Sequence, residues 1–328
     1  MKHRWAGFKS TLAPGIEQYL GAKRAVGCKF GTEDRTLRVF DRFLAERSVR
    51  APGAITPELI EDFMASRPRR TPVSFNNLLG TVRRLFDWLM IHGLVEQCPV
   101  RLTSRRAGAH RTPFIFDVGQ SRRLLEAAGR LPDNPRGPVR GPTYRVVLAI
   151  LFGLGLRIGE ASRLLVGDID WDRRTLLIRD SKFGKSRLVP FGPRLYAALR
   201  EYLDLRTRHW GTASADQPLF TFNGRTPVSP NSIRNTFHDD LLPQLKLKIP
   251  EGIGRPRIHD LRHSFAVGVL LRWYKSGVDA SARLHYLSTF LGHVNPEATA
   301  VYLTITADLL QEANRRFERF ARPFEAPP

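Results

Sequence analysis

The sequence predicts a mainly α-helical protein with a small antiparallel β-sheet in the second of two domains. Three observations predict this fold class. Apolar residues recur at helical spacing through the first 100 residues. Short runs that alternate apolar and polar residues follow near residue 165, and helical spacing returns from Leu195 to near the C-terminus. The 328-residue chain is long enough for two hydrophobic cores joined by a linker.

The first domain, residues 1–100, is expected to be all helical. The segment TEDRTLRVFDRFLAER places its apolar side chains on one stripe behind a capping pattern that starts at Thr32. Thr56 can cap a second helix whose first position is Pro57. The segment SFNNLLGTVRRLFDWLMIHG predicts a third helix. The residues expected to face inward from the first and third helices are Leu37, Phe40, Phe43, Leu44, Leu78, Val82, Leu85, Phe86 and Leu89.

A linker and a mixed second domain are expected next. Residues 101–113 carry four arginines without apolar periodicity, so they form either a solvated linker or a basic strap across a phosphate backbone. In the second domain, residues 114–328, a Pro- and Gly-rich stretch from Leu131 predicts a surface loop. The run VVLAILFGLGL from Val146 is too short to span a bilayer and predicts a buried helix. The runs LLVGDID, RTLLIRD and RLVPF predict the strands, and an amphipathic helix is expected from Asp308 to Phe320.

The charge of the chain favours a nucleic acid as its partner. The 52 Lys and Arg residues exceed the 31 Asp and Glu residues, which gives a net charge of +21 and a pI near 11.0. Such a surface repels itself unless a polyanion neutralises it. Cys28 and Cys98 have no metal-ligand spacing and are too few for a disulfide framework, and the N-terminus lacks the apolar stretch of a signal peptide. These features predict a cytoplasmic, nucleoid-associated protein that does not bind membranes.

Five local motifs each place a phosphate-binding or proton-transferring side chain beside a glycine turn or a helix end. Taken singly, each has an ordinary structural explanation, such as a surface arginine, a packing histidine or a half-buried tyrosine. In chain order they are GLRIGEASRL around Arg157, SKFGKSRLVPF around Lys182, HDLRHSFA around His259 and Arg262, LGH at His293, and AVYL at Tyr302.

The order and spacing of these motifs resemble the tyrosine recombinase (phage integrase) family. His259 and Arg262 form the family's H-x-x-R, and Tyr302 follows His293 by nine residues (302 − 293 = 9). The resemblance spans about Phe114 to Phe324, and the first domain resembles the family's core-binding domain more weakly. It implies a site-specific recombinase that cleaves and rejoins double-stranded DNA through a 3′-phosphotyrosine, for integration, excision or transposition of a mobile element.

The resemblance, together with elementary chemistry, implies a role for each side chain. The guanidiniums of Arg157 and Arg262 stabilise the charged oxygens of the transition state, with His293 as a third donor. Tyr302 is the nucleophile. Because an unperturbed tyrosine with a pKa of roughly 10 is a poor nucleophile at neutral pH, it needs a base, and His259 is the candidate.

Several further residues have more than one interpretation. In the family, a lysine in a β-hairpin turn protonates the leaving 5′ oxygen; alignment assigns that role to Lys182, with Lys185 as the alternative. Glu160 follows Arg157 by three residues, so it either orients the guanidinium or forms an ordinary surface pair. His263 is interpreted as a structural residue. Since a phosphotyrosine keeps the energy of the phosphodiester bond, the resemblance implies no cofactor.

The resemblance also implies assembly on DNA. The expected state is a homo-oligomer, a tetramer on paired sites, or a hetero-oligomer with related recombinases. The segment LLRWYKSGVDASARLHYLSTF suggests a longer helix after the H-x-x-R motif than in compact Xer-type members, and this elongated form resembles recombinases of mobile elements and plasmids. The apolar face of the last helix would dock on a neighbouring protomer or on its own domain.

Three other classes compete with this interpretation. A type IB topoisomerase shares the chemistry but relaxes DNA without pairing two sites. A non-catalytic DNA-binding partner is disfavoured because all six catalytic side chains are present. A zinc protein using His259, His263 and His293 is disfavoured because the sequence lacks an HExxH glutamate and a cluster of Cys or acidic ligands.

Overall fold

The computed structural model describes residues 7–106, 108, 111–135, 137–179, 186–292, 297–300 and 302. The chain forms two compact units, Met1–His110 and Arg111–Pro328. The described part of the chain is mostly helical and contains one three-stranded antiparallel sheet, which confirms the predicted fold class. None of the described helices is long and apolar enough to cross a membrane.

The first unit is built from helices around one apolar core. All of the residues predicted to face inward are buried. Thr56 caps a helix as predicted, because its hydroxyl accepts a hydrogen bond from the Leu59 amide at 3.4 Å. The predicted cap at Thr32 is wrong: the cap lies two residues earlier, at a left-handed Phe30 with φ of 46°, and the helix begins at Gly31. The helices are α1 (Ala13–Ala25), α2 (Gly31–Glu46), α3 (Pro57–Ala65) and α4 (Pro72–Ile91).

The second unit places its sheet among helices. The predicted buried helix forms, and it begins at Arg140, so the surface loop from Leu131 ends at Val139. The elements are α5 (Val118–Gly129), α6 (Arg140–Gly153), α7 (Ile158–Ser162), β1 (Ile169–Asp170), β2 (Thr175–Ile178), β3 (Arg187–Pro190), α8 (Pro193–Trp210), α9 (Pro230–Asn235), a π-helical turn (Thr236–Leu241), α10 (Leu242–Leu245), α11 (Asp260–Lys275), α12 (Leu284–Leu291) and α13 (Glu297–Ala300).

The sheet has the order β1-β2-β3 and packs one face on the core. Leu176 of β2 pairs with Ile169 of β1 and Val189 of β3, and all three side chains are buried. Leu188, which points to the opposite face, is exposed. This alternation follows from the period of two in a β-strand, and it confirms the three predicted strands.

The expectation of one long helix after the H-x-x-R motif is wrong, because the segment forms two helices. Helix α11 ends at Lys275, where the Ser276 hydroxyl bonds the Arg272 carbonyl at 2.9 Å and Gly277 turns with φ of +79°. The Asp279 carboxylate then accepts the Ser281 amide at 2.8 Å and closes a turn before α12. The helix expected from Asp308 to Phe320 lies outside the described residues.

Candidate active site

A glycine turn brings Arg157 to the start of α7. After α6 the chain turns at Gly155, whose φ is +61° and where an added Cβ would lie 2.6 Å from the Phe265 ring. Both the left-handed backbone and the close approach require glycine. The carbonyl of Gly155 accepts a hydrogen bond from Arg262 at 2.7 Å. This turn therefore joins the two arginine motifs, which lie more than 100 residues apart in the chain.

Glu160 binds Arg157 inside the protein. Its carboxylate accepts the backbone amide and the guanidinium of Arg157, both at 2.9 Å, and its side chain is only 2% exposed. The Arg157 guanidinium also donates to the carbonyl of Gly292, just after α12, at 3.0 Å. Of the two interpretations of this pair, the ordinary surface pair is wrong. Glu160 orients Arg157 between α7 and the end of α12.

Arg187 completes this network and was not singled out in the sequence. From the first position of β3, its guanidinium donates to both carboxylate oxygens of Glu160, at 3.1 and 2.9 Å. Its Nε donates to the Phe290 carbonyl of α12 at 2.8 Å. A signal was present in the hairpin motif SKFGKSRLVPF, where the arginine follows the two lysines. Only the two lysines were assigned a role there, because only they match the expected proton donor.

The two arginines keep Glu160 ionised. Burial raises the pKa of its carboxyl group, but hydrogen bonds and charge from Arg187 and Arg157 outweigh burial and hold the pKa at about 2. A permanent carboxylate therefore lies behind Arg157 at neutral pH. This charge balances part of the excess of arginines in the site.

Arg262 lies deeper than Arg157. Its side chain is on α11 and only 1% exposed, and its second terminal nitrogen donates to the Leu291 carbonyl at 2.8 Å. Burial, followed by the charge of Arg157, lowers the pKa of Arg262 to about 10. The guanidinium is thus still a cation at neutral pH, and its orientation is set by the carbonyls of Gly155 in the turn and of Leu291 at the end of α12.

Tyr302 is placed at the centre of these groups. Its side chain is 3% exposed, and its hydroxyl lies 2.9 Å from Nδ1 of His263. Burial raises the pKa of Tyr302, although the charge and hydrogen bond of Arg262 and the charge of Arg157 act in the opposite direction. The hydroxyl is therefore protonated at neutral pH, and attack on an electrophile requires that its proton be transferred to another group.

Two histidines stand on one face at the start of α11. The rings of His259 and His263 are nearly perpendicular, with centroids 4.8 Å apart. Although His259 as a residue is exposed, protein atoms around its imidazole desolvate it, and with the charges of Arg262 and Arg157 they lower its pKa to about 4. Burial also lowers the pKa of His263, as do the positive charges of Arg262 and Arg111, whereas the negative charge of Asp260 raises it. Both imidazoles are neutral at pH 7 and can accept a proton.

Four of the six predicted site residues therefore converge: Arg157, His259, Arg262 and Tyr302. The predicted residues Lys182 and His293, and the alternative Lys185, lie outside the described residues. His263 contacts the tyrosine hydroxyl, although the sequence suggested only a structural role. Its spacing of four residues from His259, which places both on one helical face, was the available signal. Within the described ranges, no three His, Cys, Asp or Glu side chains converge to hold a metal ion.

Comparisons with known proteins identify the family and the fold. Residues 120–308 match the Phage integrase family. The Sinorhizobium fredii protein named integrase/recombinase y4rB is 34% identical over 94% of this chain and 98% of its own length. The tyrosine recombinase XerD of Mycobacterium tuberculosis is 30% identical over 92% of this chain and 96% of its own. A lambda integrase dimer bound to a COC′ core site shares the fold, with a TM-score of 0.63, 15% identity and coverage of 90% of this chain and 95% of that one.

Proposed function

The chain belongs to the phage integrase family of tyrosine recombinases, which cleave and rejoin DNA strands, and we propose that it acts through a 3′-phosphotyrosine at Tyr302. One observation carries this proposal. The hydroxyl of Tyr302 meets a neutral histidine at 2.9 Å and receives the charge and hydrogen bond of a buried arginine. A proton acceptor and a cation beside one hydroxyl are what a tyrosine nucleophile requires.

The arginines stabilise the transition state. Attack on a phosphodiester adds negative charge to the oxygens of a pentacoordinate phosphorus, so donors held in place around it lower the barrier. Arg157 and Arg262 are both held by hydrogen bonds to carbonyl groups of the protein. Since their orientation is set before substrate binds, little reorganisation accompanies the reaction.

Two further side chains complete the proposed chemistry. Lys182 donates a proton to the leaving 5′ oxygen, with Lys185 as the alternative, and His293 donates to a phosphate oxygen. His259, from the H-x-x-R, is neutral at pH 7 and borders the same site. Because the phosphotyrosine conserves the bond energy, rejoining needs neither a nucleotide nor a metal ion.

Double-stranded DNA is the proposed substrate. A cavity of about 730 Å³ opens beside His259, and its lining carries far more positive than negative charge. The charged and imidazole side chains that line it are Arg111, Arg234, His238, Arg255, Arg257 and His259. With the net charge of +21, this concentration of arginines suits a phosphate backbone. The first unit would contact DNA as a core-binding domain, and the protein would act on the nucleoid in the cytoplasm.

Assembly on paired sites is the second part of the proposal. We expect a tetramer of this chain, or a hetero-oligomer with related recombinases, in which the segment from Asp308 to Phe320 couples neighbouring protomers. The lambda integrase of similar fold is a dimer on its core site. The relative y4rB is named an integrase/recombinase, and the integrase part of that name favours a role in moving a genetic element. Paired inverted repeats beside the gene would identify such an element.

The test is covalent capture of DNA. Nicked duplexes of random sequence are incubated with the protein, and adducts that survive denaturation are recovered and sequenced, which also yields the cleavage site. We expect adducts at Tyr302 that form in excess EDTA and are lost in Tyr302→Phe while DNA binding is retained. Adducts on Tyr286 or Tyr274, or cleavage that depends on added metal, would contradict the proposal. Joining of ends from two different duplexes separates recombination from topoisomerase activity.

A further inference from the structure

We propose that His263 is the general base that takes the proton of Tyr302, and that His259 does not have this role. The inference rests on the proposed function, since it assigns the proton acceptor of the same nucleophile. The sequence favoured His259 as the base and gave His263 a structural role, although both stand on the first turn of α11 and face the same side. Only their positions relative to the hydroxyl separate them.

The geometry favours His263. Its Nδ1 lies 2.9 Å from the Tyr302 hydroxyl, within the reach of about 2.6–3.2 Å that direct proton transfer requires. His259 instead contacts the ring of His263, with the two ring centroids 4.8 Å apart. His259 is also the more exposed of the two, whereas His263 is partly buried. His259 therefore borders the substrate side of the site, and His263 borders the nucleophile.

A buried carboxylate supports the charge that proton transfer would create. Asp260, one turn before His263, is 2% exposed and accepts the backbone amides of Arg257 at 2.8 Å and Phe114 at 3.4 Å. Its carboxylate also pairs with Arg111 at 3.5 Å, and its negative charge raises the pKa of His263, although burial and the charges of Arg262 and Arg111 outweigh it and lower that pKa overall. An imidazolium formed at His263 would thus have a fixed counter-charge nearby.

Proton transfer to His263 accompanies the exchange of bonds at phosphorus. Before reaction His263 carries its hydrogen on Nε2, so Nδ1 has a free lone pair. The O–H bond of Tyr302 breaks, its proton moves to Nδ1, and the oxygen forms a bond to the scissile phosphorus. The bond from phosphorus to the 5′ oxygen breaks, and that oxygen keeps the electron pair and takes a proton from Lys182. In rejoining, the 5′ hydroxyl returns its proton to Lys182 as its oxygen bonds to phosphorus, the bond from phosphorus to the Tyr302 oxygen breaks, and His263 returns the proton to that oxygen.

The dependence of cleavage rate on pH tests this assignment. The duplex recovered by covalent capture is cut by the wild type, His263→Gln and His259→Gln. Glutamine keeps a hydrogen bond to the hydroxyl but accepts no proton. We expect His263→Gln to be slower by about 10² to 10⁴ at pH 7 and to gain about tenfold per pH unit up to pH 9, because only ionised tyrosine then attacks. His259→Gln should be slower but independent of pH above pH 7. A flat, fast profile for His263→Gln would overturn the inference.

A more acidic nucleophile separates proton transfer from packing. A fluorinated tyrosine at position 302 ionises more readily, so it should restore the rate of His263→Gln by about tenfold or more and leave His259→Gln unrestored. Equal restoration in both variants, or in neither, would overturn the inference. If His263→Gln fails to fold, the His259→Gln profile decides: it must keep a bend below about pH 6.5, as a histidine gives, and a bend that is lost with His259 or that lies near a phenol pKa would overturn the inference. Adducts at Tyr302 with a failed His263 test would leave the proposed function intact.

Discussion

Replacing Glu160 with Gln should destabilise the second unit through one buried network. The carboxylate is 2% exposed and accepts the guanidinium of Arg187 through both oxygens and that of Arg157 through one. Glutamine has nearly the same shape, so packing is kept. It removes the charge and turns an amide nitrogen towards two guanidinium groups, which leaves buried donors without acceptors.

The size of the effect follows from the pKa. The fall of the Glu160 pKa from 4.5 to about 2 corresponds to about 3 kcal/mol of stability at pH 7, at about 1.4 kcal/mol per pH unit. Because the pKa is lower in the folded state, this contribution is complete above pH 4.5 and is lost as the pH falls towards 2. The free energy of unfolding of the Gln variant should therefore lie about 3 kcal/mol below that of the wild type at pH 7, and the two should converge in acid.

Urea unfolding between pH 3 and 7 measures this difference. Hydrogen exchange in peptides from α7 and the sheet follows the second unit separately from the first. Asp170→Asn is the matched control, since its ion pair with Arg173 is 3.8 Å long and solvent exposed, and it should cost less than about 1 kcal/mol. A difference for Glu160→Gln below about 1 kcal/mol, or one that is the same at pH 3 and pH 7, would refute the reasoning.

Three further predictions concern catalysis and assembly. Arg187→Lys keeps the charge but loses the paired hydrogen bonds to Glu160, so single-turnover cleavage should fall by about tenfold or more while filter-binding affinity for DNA changes little; unchanged cleavage would contradict this. Lys182→Ala should slow cleavage of normal DNA but not of DNA with sulfur at the 5′-bridging position, whose thiolate leaves without a proton; selective rescue of Lys185→Ala instead would identify Lys185 as the acid. Truncation after Ala307 should spare binding to one site but abolish paired complexes in gel-shift assays, and normal recombination by the truncated protein would exclude coupling.

Local rules account for what could be predicted from the sequence. The inward stripe of α4 follows from the spacing of apolar side chains along a helix, and the cap at Thr56 from its position just before Pro57. The alternation in β2 and β3 follows from the geometry of a strand. The family and four residues of the described site were predicted from the order and spacing of the motifs along the chain.

Two helix ends were predicted wrongly, the start of α2 and the end of α11, because other local signals for a helix start or stop competed with the pattern that was used. Thr32 is a residue type that caps helices and is followed by two acidic residues, yet Phe30 takes the left-handed conformation and the helix starts at Gly31. After α11, apolar spacing continues through the segment and suggests a single helix. The turn at Gly277 and the Asp279 carboxylate end it instead, because these two residues supply a stop that periodicity alone does not register.

The sequence by itself determined the fold class, the order of the motifs and the chemical types of the reacting groups. Only the tertiary structure decided which histidine meets Tyr302, and that Arg187 and Arg157 share the carboxylate of Glu160. The physical reason is the range of the interactions. Helix periods, caps and strand alternation depend on neighbours a few residues away, whereas the contact between His263 and Tyr302 spans 39 residues and that between Glu160 and Arg187 spans 27. Such contacts exist only once helices and sheet have packed.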